Sequence, residues 1–76
     1  MARKYDIKRS APLVVEVQGG DIIVRLPDGK FRAVYYKPVR QPQLILRGRT
    51  RTDDDELLAD VWKAANAKAR ELGWIV

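Results

Sequence analysis

The chain has 76 residues, 46% of them hydrophobic, with no cysteine, no histidine and a net charge of +5 at pH 7. The length predicts one small domain, and the composition excludes disulfides and the usual zinc sites as sources of stability. No apolar run approaches the roughly 20 residues that span a bilayer, so we expect no membrane contact and a cytoplasmic location.

The positive charge is concentrated in the first two thirds of the chain. Residues 1–52 carry 12 basic and 4 acidic side chains, a net charge of +8. Residues 53–76 carry 3 basic and 6 acidic side chains, a net charge of −3. Such asymmetry favours nucleic acid or another polyanion as a partner, although many small basic proteins have none.

The first predicted element is a flexible basic arm over residues 1–11, and residues 12–76 are predicted to form a single α+β domain. Two turns, Gly19-Gly20 and Asp28-Gly29, follow from the ease with which glycine adopts the positive φ of tight hairpins. The runs of β-branched and aromatic residues around these turns predict three strands, at residues 13–17, 22–26 and 31–36. After a proline-containing loop, a shorter apolar run predicts a fourth strand at residues 44–47.

The turns also predict how the strands pair. Two-residue turns place Val24 opposite both Val15 and Ala33, and they place Arg25 opposite Arg32 on the other face of the sheet. The apolar face that results is predicted to contain Leu13, Val15, Val17, Ile22, Val24, Leu26, Phe31, Ala33 and Tyr35.

An amphipathic helix follows the strands. Thr52 is the predicted N-cap, Asp53–Glu56 place negative charge at the positive end of the helix dipole, and Gly73 is predicted to end the helix. The residues predicted on its apolar stripe are Leu58, Val61, Trp62, Ala65, Ala69 and Leu72. The predicted fold is therefore α+β, a three- to four-stranded antiparallel β-sheet followed by one C-terminal α-helix packed on one face.

Five side chains predicted on the face opposite the helix form the first candidate site: Arg25, Arg32, Tyr36, Arg47 and Arg49. Guanidinium groups bind phosphate in bidentate fashion, and an aromatic ring offers a platform on which a base can stack. The leading hypothesis is a non-catalytic module that contacts nucleic acid or another polyanion. The competing interpretation is a solvated face on which Glu16 pairs with Arg25.

The charged runs next to the helix are expected to serve structural roles. The basic run Arg47–Arg51 is expected to pair with the acidic run Asp53–Glu56, which would otherwise repel a phosphate at the helix N-terminus. The acidic run has no calcium-loop spacing, and we expect helix capping instead of a metal site. No histidine, cysteine or phosphate-binding glycine loop is present, so we expect neither an enzyme nor a cofactor.

The last three residues, Trp74, Ile75 and Val76, form an apolar tail. Two interpretations remain open for it. The tail either folds back onto the domain or provides an interface for a homodimer or another protein partner.

The segment from Trp62 to Ile75, with the sequence WKAANAKARELGWI, resembles the C-terminal end of small uncharacterised bacterial proteins. The resemblance covers mainly the helix. It implies a bacterial protein of unknown function and brings no activity or site residue with it.

Overall fold

The computed structural model describes residues 13–76, which form a four-stranded antiparallel sheet and one helix. The strands are neighbours in chain order, and each pairs antiparallel with the next. The elements are β1 (Val14–Gln18), β2 (Asp21–Arg25), β3 (Arg32–Tyr36), β4 (Ile45–Arg49) and α1 (Asp55–Glu71). The predicted α+β fold is confirmed, with the fourth strand present. The predicted arm at residues 1–11 lies outside the described residues.

The two glycine turns set the register as predicted. Gly19 has a φ of 59°, the positive value that a two-residue hairpin turn requires at its first central position. At the second turn Gly29 has a φ of 79°, and its N–H donates to the carbonyl of Leu26 at 3.0 Å. Val24 consequently lies opposite both Val15 and Ala33, which confirms the predicted pairing.

The core lies between the sheet and the helix. Its buried members are Ile22, Val24, Phe31, Ala33, Tyr35, Leu44, Val61, Ala65 and Ala69. The helix packs mainly against β2 and less against β1. Val17 was predicted on this face but is 39% exposed, because it lies beside the turn at the end of β1, an edge strand of the described sheet.

The N-cap of the helix lies two residues later than predicted. The side chain of Asp54 is the N-cap, and it accepts a hydrogen bond from the N–H of Leu57 at 3.0 Å. The hydroxyl of Thr52 instead accepts from the N–H of Asp54 at 3.1 Å. Both residues are good caps, and aspartate has the additional advantage of a negative charge at the positive end of the helix dipole.

The helix ends in a Schellman motif centred on Gly73, whose φ is 80°. The N–H of Gly73 donates to the carbonyl of Arg70 at 3.0 Å, and the N–H of Trp74 donates to that of Ala69 at 2.8 Å. This reversal returns Trp74 and Ile75 to the core, where both are partly buried. The tail therefore folds back within the same chain.

The pairing of β3 with β4 contains an irregularity that simple alternation does not predict. Tyr35 lies opposite Leu46, but its neighbour Val34 lies opposite Gly48. Arg47 is therefore an extra residue, as in a β-bulge. After Arg47, each residue of β4 lies on the opposite face of the sheet from the one predicted. Arg49 consequently lies opposite Ala33.

Candidate anion-binding groove on the sheet

The face opposite the helix carries the predicted pair of arginines. Arg25 and Arg32 lie directly opposite each other on β2 and β3, as predicted. The guanidinium of Arg25 also donates to the carboxylate of Glu16 on β1 at 3.3 Å. This diagonal ion pair, which the solvated-face interpretation predicted, partly compensates the charge of Arg25 and leaves Arg32 as the more accessible charge for an anion.

Arg47 and Tyr36 form a second cluster on the same face. The guanidinium carbon of Arg47 lies 4.3 Å from the centre of the Tyr36 ring, a cation–π contact. The same guanidinium reaches Asp21, with Nη2 at 3.1 Å and Nε at 3.2 Å from Oδ1. One face of the Tyr36 ring is thus already covered. The ion pair of Arg47 also corrects the expected pairing of this run, because its partner is Asp21 of β2 and not the acidic run before the helix.

The bulge produces an open groove beside these clusters. The groove has a volume of about 340 Å³ and is lined by Arg32, Val34, Arg47, Gly48, Arg49 and Thr50. We call it the arginine groove. Gly48 contributes no side chain, and a Cβ placed on it would meet no atom within 4 Å. Three arginines are among the lining residues that the structure describes, and none of these lining residues is acidic. The guanidinium of one of them, Arg47, pairs with Asp21 beside the groove.

Two hydrogen bonds between Arg32 and Thr50 connect β3 to the end of β4 beside the arginine groove. The N–H of Thr50 donates to the carbonyl of Arg32 at 2.9 Å. In return, the N–H of Arg32 donates to the hydroxyl of Thr50 at 3.1 Å. These bonds fix Arg32 relative to the end of β4. The Arg32 guanidinium has no ion-pair or hydrogen-bond partner within residues 13–76.

Arg49 is placed differently from the prediction. Strict alternation put it on the face opposite the helix, but the bulge brings it into register with Ala33, whose side chain lies in the core. Arg49 lines the arginine groove, and its Nη1 donates to the carbonyl of Thr50 at 3.1 Å. Gly48 between two arginines was the signal that sequence reasoning missed, since a glycine inside a strand often marks a bulge.

The helix-side face near β4 is only partly covered. Trp62, predicted on the buried stripe of the helix, is 44% exposed, because the helix turns Leu57, Val61 and Ala65 towards the sheet instead. The ring of Trp62 meets that of Tyr35 with centroids 5.6 Å apart and planes tilted by 51°. Leu46, opposite Tyr35 on β4, is 42% exposed.

Burial raises the pKa of the Tyr35 phenol, and the nearby positive charge of Arg49 partly opposes this rise. The stability gained from the neutral phenol is therefore complete below the unfolded pKa of about 10 and is lost as the pH rises through the folded pKa. We expect the free energy of unfolding to fall between about pH 8 and about pH 11, and to fall less in Tyr35→Phe. Urea unfolding at both pH values measures this difference.

Tyr36→Phe is the matched control for that experiment, because it removes a neighbouring phenol and keeps the one on Tyr35. It should retain the alkaline loss of stability that is assigned to Tyr35. An equal loss in Tyr35→Phe would contradict the assignment of the effect to Tyr35.

The residues of the predicted C-terminal interface have different environments. Trp74 and Ile75 are partly buried against the core, and Val76 is fully exposed. Association with a partner through this tail stays a prediction, but two of its three residues already contact the chain's own core.

Two further findings concern the described part of the chain. Within residues 13–76, no group of three or more acidic, histidine or cysteine side chains is placed to hold a metal ion. In the same range, no helix has both the length and the apolar character needed to cross a membrane.

Comparison with known proteins gives no match: no family model, no curated protein and no solved structure is significantly similar to this chain. The described residues form a small β-β-β-β-α domain with a basic groove at the bulge of its last strand.

Proposed function

We propose that this protein is a non-catalytic binding module that holds phosphate groups of a nucleic acid in the arginine groove. The observation that carries the proposal is the gathering of Arg32, Arg47 and Arg49 around one open space without an acidic neighbour in its lining. Guanidinium groups pair with phosphate oxygens through two parallel hydrogen bonds, and they remain charged at all physiological pH values.

Two ion pairs on the sheet reduce the positive charge that the predicted basic face offers to a ligand. Glu16 is paired with Arg25, and Asp21 is paired with Arg47. These pairs are solvent-exposed, so their arginines are not locked away from a ligand, but their charge is partly compensated. Among residues 13–76, Arg32 and Arg49 have no ion-pair partner, and they lie on the neighbouring strands β3 and β4 beside the bulge.

Binding to the apolar tail is less well supported as an alternative function. A tail that recruits a partner would need its large side chains exposed. Here Trp74 and Ile75 pack against the core, and Val76 alone is fully exposed.

The proposal is tested by titrating labelled oligonucleotides with the full chain at low salt and following fluorescence anisotropy. Arg32→Ala is expected to weaken binding about tenfold or more, because a hydrogen bond to a charged group contributes roughly 1.5–3 kcal/mol. Lys63→Ala removes one positive charge from the exposed side of the helix and is the matched control. Equal losses in the two variants would show that overall charge, and not the arginine groove, determines binding.

A further inference from the structure

The uncovered part of the helix-side face forms a small patch of large side chains. The patch consists of Tyr35, Leu46 and Trp62, and we call it the aromatic patch. Tyr35 is the buried member of the patch, with 5% of its surface exposed. It contacts the Trp62 ring and lies opposite Leu46. The helix leaves the patch open because it packs against β2 and β1, away from β4.

The aromatic patch and the arginine groove meet at the edge of the sheet. β4 is an edge strand of the described sheet, with β3 as its partner. Arg49 lines the groove, and it is in register with Ala33 on the same side of the sheet as the patch. Its charge also acts on the phenol of Tyr35, a member of the patch. Arg49 therefore lies between the groove and the patch, on the path along which a ligand bound in the groove can continue around β4 towards Trp62.

This combination selects one form of nucleic acid. Proteins that bind single strands combine a positively charged groove for the backbone with aromatic rings on which bases stack. In a duplex the base faces are stacked on one another, so a duplex can use the groove but not the exposed face of Trp62.

We propose that the ligand is single-stranded nucleic acid, with phosphates in the arginine groove and a base stacked on Trp62 across the edge of β4. This inference rests on the proposed function and specifies its substrate. The solvent-facing part of Trp62 provides the stacking surface, and Leu46 provides apolar contact for the same base.

The test compares a labelled single strand of about 12 nucleotides with its duplex, both titrated with the full chain at low salt. The single strand is expected to bind more tightly. Trp62→Leu should weaken single-strand binding about five- to 150-fold, the range for one stacked base, and should leave duplex binding unchanged. Trp62→Phe keeps an aromatic ring and should retain most of the affinity, and the unchanged duplex binding of Trp62→Leu shows that this variant is folded.

A second measurement reports on the ring itself. In a Trp74→Phe background, the fluorescence of Trp62 should be quenched by the single strand and not by the duplex. Equal affinities for both forms, unaffected by Trp62→Leu but weakened by Arg32→Ala, would overturn this inference and leave the proposed function intact. Failure of both forms to bind would overturn both. A Trp62 signal that changes with protein concentration, and not with oligonucleotide, would assign the patch to a second copy of the chain and overturn the inference.

Discussion

Gly48→Glu is expected to weaken nucleic-acid binding about tenfold or more. The new carboxylate would project into the space bordered by Arg32, Arg47 and Arg49 and would pair with the groups that are proposed to hold phosphate. The fold should tolerate the change, since a Cβ at Gly48 meets no atom within 4 Å and its φ lies outside the positive region. Fluorescence anisotropy measures the affinity, and circular dichroism checks the fold.

Gly48→Gln separates the effect of charge from that of bulk. Glutamine fills the same volume and carries no charge, so its loss of affinity should be clearly smaller than that of glutamate. If both variants bind like the unmodified protein, phosphate does not occupy the arginine groove. If both lose affinity equally, steric exclusion and not charge accounts for the effect.

Phe31→Ala is expected to destabilise the domain by about 3–5 kcal/mol, the usual cost of removing a buried aromatic side chain. Phe31 is 2% exposed and is one of the largest fully buried residues of the core. A domain of this size has a stability of about 4–11 kcal/mol at the usual values per residue. The substitution should therefore remove a large part of the free energy of unfolding, and chemical denaturation followed by tryptophan fluorescence measures it.

Val39→Ala is the control for that experiment. Val39 is 94% exposed in the loop between β3 and β4, so its truncation should change stability by no more than about 0.5 kcal/mol. A loss below 1 kcal/mol in Phe31→Ala, or equal losses in both variants, would contradict the packing described for the core.

Much of the sheet was predictable because its turns are local. Glycine at positions 19 and 29 adopts positive φ, and each turn fixes the pairing of the strands beside it. From these registers the opposition of Arg25 and Arg32 follows directly, as does the diagonal pairing of Arg25 with Glu16. The end of the helix was predictable for the same reason, because Gly73 favours a left-handed C-terminal cap.

The features that were not predicted depend on contacts between distant parts of the chain. The extra residue in β4 arises from its pairing with β3, and periodicity within β4 does not reveal it. The exposure of Trp62 depends on where the helix packs on the sheet. The apolar stripe predicts this position only to within about one turn of the helix. The Arg47 side chain reaches across β3, over the Tyr36 ring, to pair with Asp21 on β2.

The bulge matters most for the candidate site. It places Gly48 opposite Val34, which opens the arginine groove, and it turns Arg49 into register with Ala33. Regular alternation would have produced an even row of arginines on one face. The observed arrangement instead gathers three of them around one space at the sheet edge.

The salt dependence of single-strand binding tests the central claim most directly. Each phosphate neutralised on a single strand contributes about −0.7 to the slope of the logarithm of the binding constant against the logarithm of salt concentration. We expect a negative slope of magnitude about 2 or more for the unmodified protein, reduced by about 0.7 in Arg32→Ala and unchanged in Lys63→Ala. A slope near zero, or no binding at low salt where electrostatic attraction is strongest, would contradict phosphate recognition by the arginine groove.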